Sequence, residues 1–397
     1  MTKTVAANDC CGCMACSLVC PNHSIEWAED AQGFLSPKVT ESCLQCGLCA
    51  SVCPMRHTQT VDSAILDTVK IFAAKHVDRA SQLQSTSGGV FTAISDWILS
   101  QNGVVVGAAY NDQMEVCHTL AFHTEQRNKQ RGSKYVQSKL GDCYAQTIDL
   151  LKAGRIVLFT GSPCQIMGLR NLCKYWNLDT SNLYTSDIVC HGGSSPSIFR
   201  DHIAFLEQKY KKKVVGYDFR KKWHMINMEI RFENGTILSH GVDEQMVMNL
   251  FLENITLCPA CFSCPYAKSE RVGDMTMGDY WGIEKVIPDF ADAGGVSMLM
   301  LNTEKGQRLF EQIKDKLILR ESCLEGIGNP SQPHLGCPAS KPDIYEQFRQ
   351  DYAQHGFPFI LEKYFHYGWK VKIRNFYWKW DWKIRNFFKA AGSKNKK

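Results

Sequence analysis

Eight cysteines in the first 53 residues form two copies of one spacing pattern. The copies consist of Cys10, Cys13, Cys16 and Cys20, followed by Cys43, Cys46, Cys49 and Cys53. Each copy has the spacing C-x2-C-x2-C-x3-C, and a proline follows its last cysteine. Cysteines at such short, repeated intervals are typical of metal ligands. The pattern therefore predicts a small metal-binding module at the start of the chain.

The spacing is that of bacterial ferredoxins with two [4Fe–4S] clusters, in which the fourth cysteine of each run binds the other cluster. This rule assigns one cluster to Cys10, Cys13, Cys16 and Cys53, and the second to Cys43, Cys46, Cys49 and Cys20. Zinc is the rival metal, but a four-ligand zinc site does not explain duplicated triplets with a trailing Cys-Pro. Disulfides are the third alternative. Cys11 is interpreted as a surplus, packed thiol, and the module is expected to move electrons one at a time.

Composition constrains the compartment and the distribution of charge. The chain has 397 residues and a net charge of +5. No signal-like stretch precedes the cysteine pattern, and no apolar run of about 18 residues predicts a spanning helix. We therefore expect a cytoplasmic protein with reduced cysteines. Residues 362–397 contain 11 Lys and Arg against 2 Asp and Glu, so this segment carries +9 and the rest of the chain carries −4.

Three regions differ in composition and pattern. Residues 1–60 are predicted to form the two-cluster ferredoxin domain, residues 61–361 a larger domain, and residues 362–397 a basic aromatic tail. In the larger domain, β-branched runs alternate with helical patterns, which predicts an α/β (α+β) fold with a mixed sheet. Strands are expected at 104–109, 156–159, 188–189, 214–219, 228–232 and 297–301. Helices are expected at 78–101, 142–152, 165–176, 196–210, 305–316 and 341–361.

A second set of cysteines lies in the larger domain. Cys164 and Cys190 each follow a predicted strand and precede a helix, where backbone N–H groups and the helix dipole favour a thiolate. Cys258, Cys261 and Cys264 repeat the two-residue interval, without a fourth cysteine three residues later. Together these residues predict a third four-thiolate site, although each of the two strand-end cysteines taken alone is equally typical of a buried small side chain.

Three further segments are candidates for cofactor or substrate contacts. Residues 87–89 (Ser-Gly-Gly) precede a helical pattern and would place backbone N–H groups on a phosphate, but they are also typical of an ordinary helix start. Residues 131–138 combine basic, hydroxyl and aromatic side chains, which suits a pyrophosphate and a ring or simply an exposed loop. Residues 273–282 place acids at both ends of a short apolar strand, and an aromatic turn follows.

Taken in order, these motifs resemble the family of coenzyme F420 hydrogenase/dehydrogenase beta subunits, in forms fused to an N-terminal two-cluster ferredoxin. The resemblance covers about residues 1–360. It rests on Ser87-Gly88-Gly89, Gly132-Ser133-Lys134-Tyr135, Gly161-Ser162-Pro163-Cys164-Gln165, Cys190-His191-Gly192, and Cys261-x2-Cys264 with Asp274 and Gly278-Asp279-Tyr280-Trp281-Gly282. Members of the family are flavoproteins, so the resemblance implies FAD beside a [4Fe–4S] cluster.

The resemblance also implies which residues hold these groups. The inner [4Fe–4S] cluster would be bound by Cys164, Cys190, Cys261 and Cys264, with Cys258 as a surplus or alternative ligand. FAD would be contacted by Ser87, Gly88, Gly89, Ser133, Lys134 and Tyr135. Family members reduce different molecules, so no substrate-binding residue is carried over. His191 is a candidate proton donor, and a purely structural histidine is the alternative.

The tail contains an 11-residue repeat that begins at Trp369 and again at Trp380. Eleven residues make three helical turns, so equivalent positions share one face. Aromatic and aliphatic residues cover about a third of the helix circumference, and most basic residues lie around the rest. Over 369–389 this pattern predicts an amphipathic helix on the inner, anionic membrane surface, with docking on the protein itself or on a partner as the alternative. No motif in the body supports a nucleic-acid partner.

The leading hypothesis from the sequence is an iron–sulfur flavoprotein oxidoreductase. A ferredoxin-type donor or a redox partner subunit would supply single electrons, and FAD would pair them for a small-molecule acceptor that the sequence does not identify. The first alternative is a non-catalytic electron-transfer subunit of a separate reductase. The second is a membrane-associated accessory protein of polysaccharide biosynthesis whose clusters are structural.

Overall fold

The computed structural model describes residues 7–57, 69–221, 228–239, 241–327 and 330–365. The helices are α1 (Ala15–Leu18), α2 (Leu48–Ser51), α3 (Arg79–Leu83), α4 (Val90–Ser100), α5 (Thr124–Gln130), α6 (Cys143–Lys152), α7 (Pro163–Tyr175), α8 (Pro196–Tyr210), α9 (Val242–Leu252), α10 (Ile283–Val286), α11 (Glu304–Ile313), α12 (Leu324–Ile327) and α13 (Tyr345–Phe365). The strands are β1 (Ile25–Glu29), β2 (Leu35–Val39), β3 (Lys70–His76), β4 (Val104–Tyr110), β5 (Val116–Ala121), β6 (Val157–Gly161), β7 (Leu183–Ile188), β8 (Val214–Asp218), β9 (Glu229–Phe232), β10 (Ile237–Leu238), β11 (Met275–Asp279), β12 (Ser297–Leu301) and β13 (Leu317–Ser322).

The N-terminal module uses the same backbone turn twice. Helices α1 and α2 contact each other, and β1 and β2 form an antiparallel hairpin in which Ile25 lies opposite Val39. The residue before each short helix has a left-handed backbone, with φ 64° at Met14 and φ 80° at Gly47. Both residues directly follow the second cysteine of their copy, so the two cysteine patterns fold alike.

A mixed sheet of eight strands forms the centre of the larger domain. Its strand order is β13-β3-β12-β11-β7-β6-β4-β5. Strands β11, β7, β6 and β4 are parallel neighbours, and β12 is antiparallel to both β11 and β3. Strand β3 therefore runs in the same direction as those four. The carboxyl ends of five strands meet at one edge of this sheet, which is where α/β proteins bind their ligands.

Apolar packing on both faces of the sheet explains its burial. Every residue of β12 is buried, as expected for a strand covered on both faces. Helices α4 and α11 pack on one face, where Ile94, Leu309 and Leu299 share a core. A second antiparallel sheet, β10-β9-β8, packs against α8 and α9 in a separate core. The predicted fold class, a mixed α/β domain after a ferredoxin-like module, is confirmed.

The N-terminal module packs directly on the larger domain. Ala15 and Val52 share a core with Leu169 of α7. The side-chain amide of Asn171 donates to the carbonyl oxygens of Val52 and His57, both at 3.3 Å. This shared core brings the first cysteines of the chain close to the carboxyl edge of the large sheet.

Two local predictions differ from the structure. The helix expected over 78–101 is divided into α3, which Asp78 caps by accepting from the N–H groups of Ala80 and Ser81, and α4. The division arises because α3 ends at Leu83 and Gly89, with φ 95°, starts a new helix. The strand expected at 188–189 is instead β7, which ends at Ile188. The expected C-terminal helix is present as α13, which is interrupted at Gly356.

The predicted amphipathic tail over 369–389 lies outside the described residues and stays a prediction. Within the part of the chain that the structure describes, no helix is both long enough and apolar enough to cross a bilayer.

The buried histidine of α8 leads to a prediction about acid stability. His202 is fully buried, with its Nε2 2.6 Å from the carbonyl oxygen of Asp243. Burial lowers the pKa of His202 to about 4. An unfolded histidine has a pKa of about 6.5. The contribution of neutral His202 to the free energy of unfolding is therefore fully present above that pH and is lost as the pH falls toward 4. We expect a loss of about 2 kcal/mol between about pH 7 and pH 5, measured by hydrogen exchange of α8 amides. The His202→Asn variant lacks this titration, so an equal loss in that variant would contradict the assignment to His202.

Candidate iron–sulfur and flavin site

One hollow of the N-terminal module is lined by the four cysteines predicted to bind the first cluster: Cys10, Cys13, Cys16 and Cys53. Trp27, Pro37 and Met55 form further walls of this hollow. Six cysteines line the hollow in all, since Cys11 and Cys49 also line it, and four thiols within largely apolar walls are a donor set that suits a [4Fe–4S] cluster. The residues of this hollow therefore fit the predicted cluster.

A second hollow is lined by the cysteines predicted to bind the other cluster: Cys20, Cys43, Cys46 and Cys49. Ile25, Val39 and Leu44 are among its other walls. Leu44 is 66% exposed and Cys46 is also exposed, whereas Cys10 of the first hollow is buried. The second hollow is therefore the one nearer to solvent. Cys49 lines both hollows, so the two sites are adjacent.

Burial controls the protonation of the thiols in the first hollow. It raises the pKa of Cys10 to about 11 and that of Cys16 to about 12. The N–H of Gly12 donates to the Cys10 sulfur at 3.3 Å, which favours the thiolate and opposes part of the effect of burial. Because metal ligation requires thiolates, loading of this site should release protons.

The four cysteines predicted for the inner cluster converge at the carboxyl edge of the large sheet: Cys164, Cys190, Cys261 and Cys264. Burial, followed by the proximity of the other three thiols, raises the pKa of Cys190 well above its usual value. The N–H of Gly193 donates to the Cys261 sulfur at 3.4 Å. The structure thus brings together thiols from three separate segments of the chain, and their number and chemistry fit a [4Fe–4S] cluster.

Local structure explains how these thiols reach one place. Strand β6 ends at Gly161, and a capping box formed by Ser162 and Gln165 starts α7, which places Cys164 in its first turn. Cys190 lies two residues beyond the end of the neighbouring strand β7. Cys261 lies in a short 3-10 turn that precedes β11, the next strand of the sheet.

Cys11, interpreted from the sequence as a packed thiol, lies between two of these groups. A hydrogen bond with Cys13 raises the pKa of Cys11 well above its usual value, and a second one with Cys164 opposes that shift. Cys11 therefore contacts one predicted ligand of the first cluster and one of the inner cluster. Cys258 is buried, and its sulfur donates to the carbonyl oxygen of Cys10 at 3.5 Å.

A site for a single metal ion differs in geometry from a site for a [4Fe–4S] cluster. Within the described ranges, no group of three or more His, Cys, Asp or Glu residues is placed to hold a single metal ion. A [4Fe–4S] cluster has other requirements, since its four cysteines bind a group of several iron atoms instead of one central ion.

The two predicted FAD segments lie side by side. The N–H of Ser133 donates to the hydroxyl of Thr86 at 3.1 Å. Ser87 donates to the carbonyl oxygen of Val296 at 3.1 Å, and Gly88 N–H donates to the hydroxyl of Ser297 at 2.9 Å. These bonds fix residues 87–89 beside the start of β12, at the same sheet edge as the inner cysteines.

Gly88 lies where no side chain fits. A Cβ at this position would be 2.1 Å from the carbonyl oxygen of Ala74. Gly89, the next residue, starts α4 with a left-handed backbone that glycine adopts without strain. The two glycines therefore have a structural reason that is independent of any bound anion.

Lys134 is already engaged by the backbone. Its ammonium donates to the carbonyl oxygens of Gln130, Arg131 and Gly132 at 3.3, 2.9 and 3.0 Å. Burial lowers its pKa to about 8. An ammonium has three N–H donors, so a contact of Lys134 with a phosphate would rest on its charge or would replace one of these bonds.

His191 is held by neighbouring side chains. Its Nε2 lies 2.5 Å from the side-chain oxygen of Asn254. Its ring centre lies 4.6 Å from that of Phe251 and 4.3 Å from that of His334. Burial lowers the pKa of His191, so its neutral form is favoured. These contacts fix the ring and support the structural alternative for this residue.

Arg220, which the sequence did not identify as a candidate, contacts Tyr135. Arg220 donates through Nη1 to the Tyr135 hydroxyl at 3.1 Å and to the Asp279 carboxylate. Its guanidinium lies 4.7 Å from the ring centre of Trp281. Asp279 and Trp281 belong to a motif visible in the sequence, but Arg220 follows β8 without any recognisable pattern, so the fold alone brings it here.

These cysteine groups and the comparisons below define an iron–sulfur electron-transfer protein of the oxidoreductase type. Residues 154–325 match the family described as the C terminus of the coenzyme F420 hydrogenase/dehydrogenase beta subunit. Residues 9–57 match the 4Fe-4S dicluster domain. The chain therefore contains a C-terminal domain of the coenzyme F420 hydrogenase/dehydrogenase beta subunit family and an N-terminal dicluster domain, and the resemblance predicted from the sequence is confirmed.

Two curated proteins are similar over most of this chain. It is 26% identical over 337 residues to the coenzyme F420-dependent sulfite reductase of Methanocaldococcus jannaschii, covering 81% of this chain and 48% of that protein. It thus spans about half the length of that relative. It is 21% identical over 338 residues to the F subunit of F(420)H(2) dehydrogenase from Methanosarcina mazei, covering 82% of this chain and 88% of that protein.

Among solved structures, the F420-reducing [NiFe] hydrogenase complex of Methanosarcina barkeri contains a similar chain. The TM-score is 0.44 at 16% identity, over 74% of this chain and 91% of that chain. The names of the two curated relatives refer to coenzyme F420 and not to FAD or to polysaccharide biosynthesis. Predicted FAD binding therefore stays a proposal, and the polysaccharide alternative gains no support.

Proposed function

We propose that this protein is an iron–sulfur, flavin-dependent oxidoreductase that passes electrons from a ferredoxin-type donor through FAD to a small organic acceptor. One observation carries the proposal. Three groups of four cysteines form a connected series from the solvent-exposed hollow at Cys46 to the sheet edge beside the predicted FAD segments. Cys49 connects the first pair of groups and Cys11 the second.

The cysteine groups and the predicted FAD segments would have distinct roles in electron transfer. The donor would dock at the exposed hollow around Leu44 and Cys46, because the other two groups are more deeply buried. When bound, the clusters would supply one-electron transfer, and FAD would supply the conversion between one-electron and two-electron chemistry. The start of α4 at residues 87–89 would hold the FAD phosphates, with Lys134 adding positive charge.

The acceptor is proposed from the names of the relatives. Two of them are named for coenzyme F420 as a redox partner of an enzyme. A deazaflavin of that kind accepts two electrons together, which fits a flavin placed after a series of one-electron carriers. Coenzyme F420 is therefore the first acceptor to test, and the sulfite reduction in the name of one relative is not carried over to this chain.

The experiment uses the full chain purified without oxygen, with reduced methyl viologen as the one-electron donor. We expect FAD to be retained at about one per chain and two viologen radicals to be oxidised for each coenzyme F420 reduced, since two electrons from viologen and two protons from the solvent are needed. Cluster reduction in a protein that retains no flavin would instead support the electron-transfer subunit. Clusters that viologen does not reduce would support the structural role.

A further inference from the structure

The Arg220–Asp279 pair occupies the space between the predicted phosphate loop and the inner cysteines. Asp279 is the last residue of β11. On one side of β11 lies β12, whose first residue, Ser297, holds the loop at Gly88. On the other side lies β7, which leads to Cys190. Neighbouring strands are about 4.8 Å apart, so Asp279 lies between the two parts of the predicted cofactor site.

The pair is buried and incompletely satisfied. Arg220 is 8% exposed, and its Nη1 is used by Asp279 and Tyr135. Among the described residues, neither its buried Nη2 nor the buried Oδ1 of Asp279 has a hydrogen-bond partner. Buried polar atoms of this kind normally have a partner, because leaving them unpaired costs free energy. A free donor and a free acceptor therefore lie on the two members of one ion pair.

A chemical group complementary to these two atoms has a hydrogen-bond acceptor next to a hydrogen-bond donor. A carbonyl oxygen beside an N–H provides this pattern, with the carbonyl accepting from Nη2 and the N–H donating to Oδ1. The pyrimidinedione edge of a flavin carries this arrangement, and so does the same edge of a deazaflavin. Bonds to two ionised groups would be stronger than neutral ones and would fix the orientation of the ring.

We infer that Arg220 and Asp279 bind the C=O and N–H groups of the pyrimidinedione edge of a flavin or deazaflavin ring. This inference rests on the proposed function and adds the binding point for the ring, separate from the phosphate loop. Trp281 stacks on the Arg220 guanidinium at 4.7 Å and is half-buried. Both atoms are shielded from solvent, so entry of the ring would require neighbouring side chains, Trp281 among them, to shift.

The test compares rings that differ only by a methyl group on the imide nitrogen. Full chain with its clusters loaded and its flavin removed is titrated with riboflavin and 3-methylriboflavin, and with 5-deazariboflavin and its 3-methyl derivative. We expect the methylated ring to bind about tenfold more weakly or worse, because it cannot donate to Asp279. The riboflavin pair and the deazariboflavin pair show separately which ring the site takes.

Variants separate recognition from a purely structural role. In Asp279→Ala the difference between a ring and its methylated form should fall below about threefold. Asp289→Ala, which removes the carboxylate of an exposed Arg320–Asp289 pair, should keep the full difference. The wild-type comparison needs no variant and is valid even if Asp279→Ala fails to fold.

Each outcome decides a different question. Equal binding of methylated and unmethylated rings by the wild type overturns this inference alone, because the proposed flavin dependence would remain. Failure of the wild type to bind any of the four rings overturns the proposed function together with the inference. Discrimination that persists in Asp279→Ala assigns the recognition to other residues and also overturns it.

Discussion

Iron content should fall by about four atoms per chain when Cys261 and Cys264 are both replaced by alanine. Three four-iron clusters give about 12 iron atoms in the wild type, so the variant should contain about 8. Two thiols from one chain segment would be lost from the inner group, and Cys164 and Cys190 alone supply only half of the ligands. The paramagnetic signals of the two N-terminal clusters should remain, because their hollows contain neither residue.

The measurement is iron analysis and electron paramagnetic resonance of protein purified without oxygen. A matched control replaces Cys323 and Cys337, which are exposed and remote in sequence from the cysteine motifs, and should keep about 12 iron atoms. A wild type that contains only about 8 would mean that the inner cluster is absent. Loss of all iron in the double variant would mean that the inner cysteines support the fold of the N-terminal module instead.

The N-terminal sites were predictable because their geometry is encoded locally. Each copy of the pattern needs only a left-handed residue and a short helix to turn its thiols inward, and both copies provide this at Met14 and Gly47. The crossing of the fourth cysteine follows from the packing of two such units, and the structure places Cys20 and Cys53 in the hollows that the rule assigned.

The larger domain was predictable only where a motif follows a strand. Cys164 and Cys190 come from neighbouring parallel strands, so strand order alone brings them together. Strand order was not derivable from the sequence, and the helix at 78–101 was overextended because its break depends on the left-handed backbone of Gly89 and the close approach of Gly88 to β3. Arg220 has no local signal, because its place beside Asp279 is created by tertiary packing between two sheets.

A buried ion pair, Arg271 with Asp187, supports the segments that carry the inner cysteines. Arg271 and Asp187 are 1% and 0% exposed, with their charged atoms 3.3 Å apart. Arg271 also donates to the carbonyl oxygens of Ile188 and Tyr266 at 2.8 and 3.0 Å. Ile188 lies two residues before Cys190, and Tyr266 lies two residues after Cys264. The guanidinium therefore ties together two of the segments that carry the inner thiols.

Removing only the Asp187 carboxylate should strongly destabilise the fold around the ion pair. In Asp187→Ala the Arg271 charge stays buried without its counter-ion, which costs about 3–5 kcal/mol. At about 1.4 kcal/mol per factor of ten, hydrogen exchange of β7 and β11 amides should accelerate by roughly 100-fold to 1,000-fold or more. Asp289→Ala, which opens an exposed pair, should change exchange little, since such pairs contribute about 0–1 kcal/mol.

The paired variant Asp187→Ala with Arg271→Met distinguishes charge burial from packing. It removes both charges, so it should be more stable than Asp187→Ala alone, although it loses the bonds to Ile188 and Tyr266. If the segments need those bonds to position their thiols, the paired variant regains exchange protection in β7 and β11 but still lacks about four iron atoms. Equal protection in the single and paired variants would show that the buried charge is not the source of the cost.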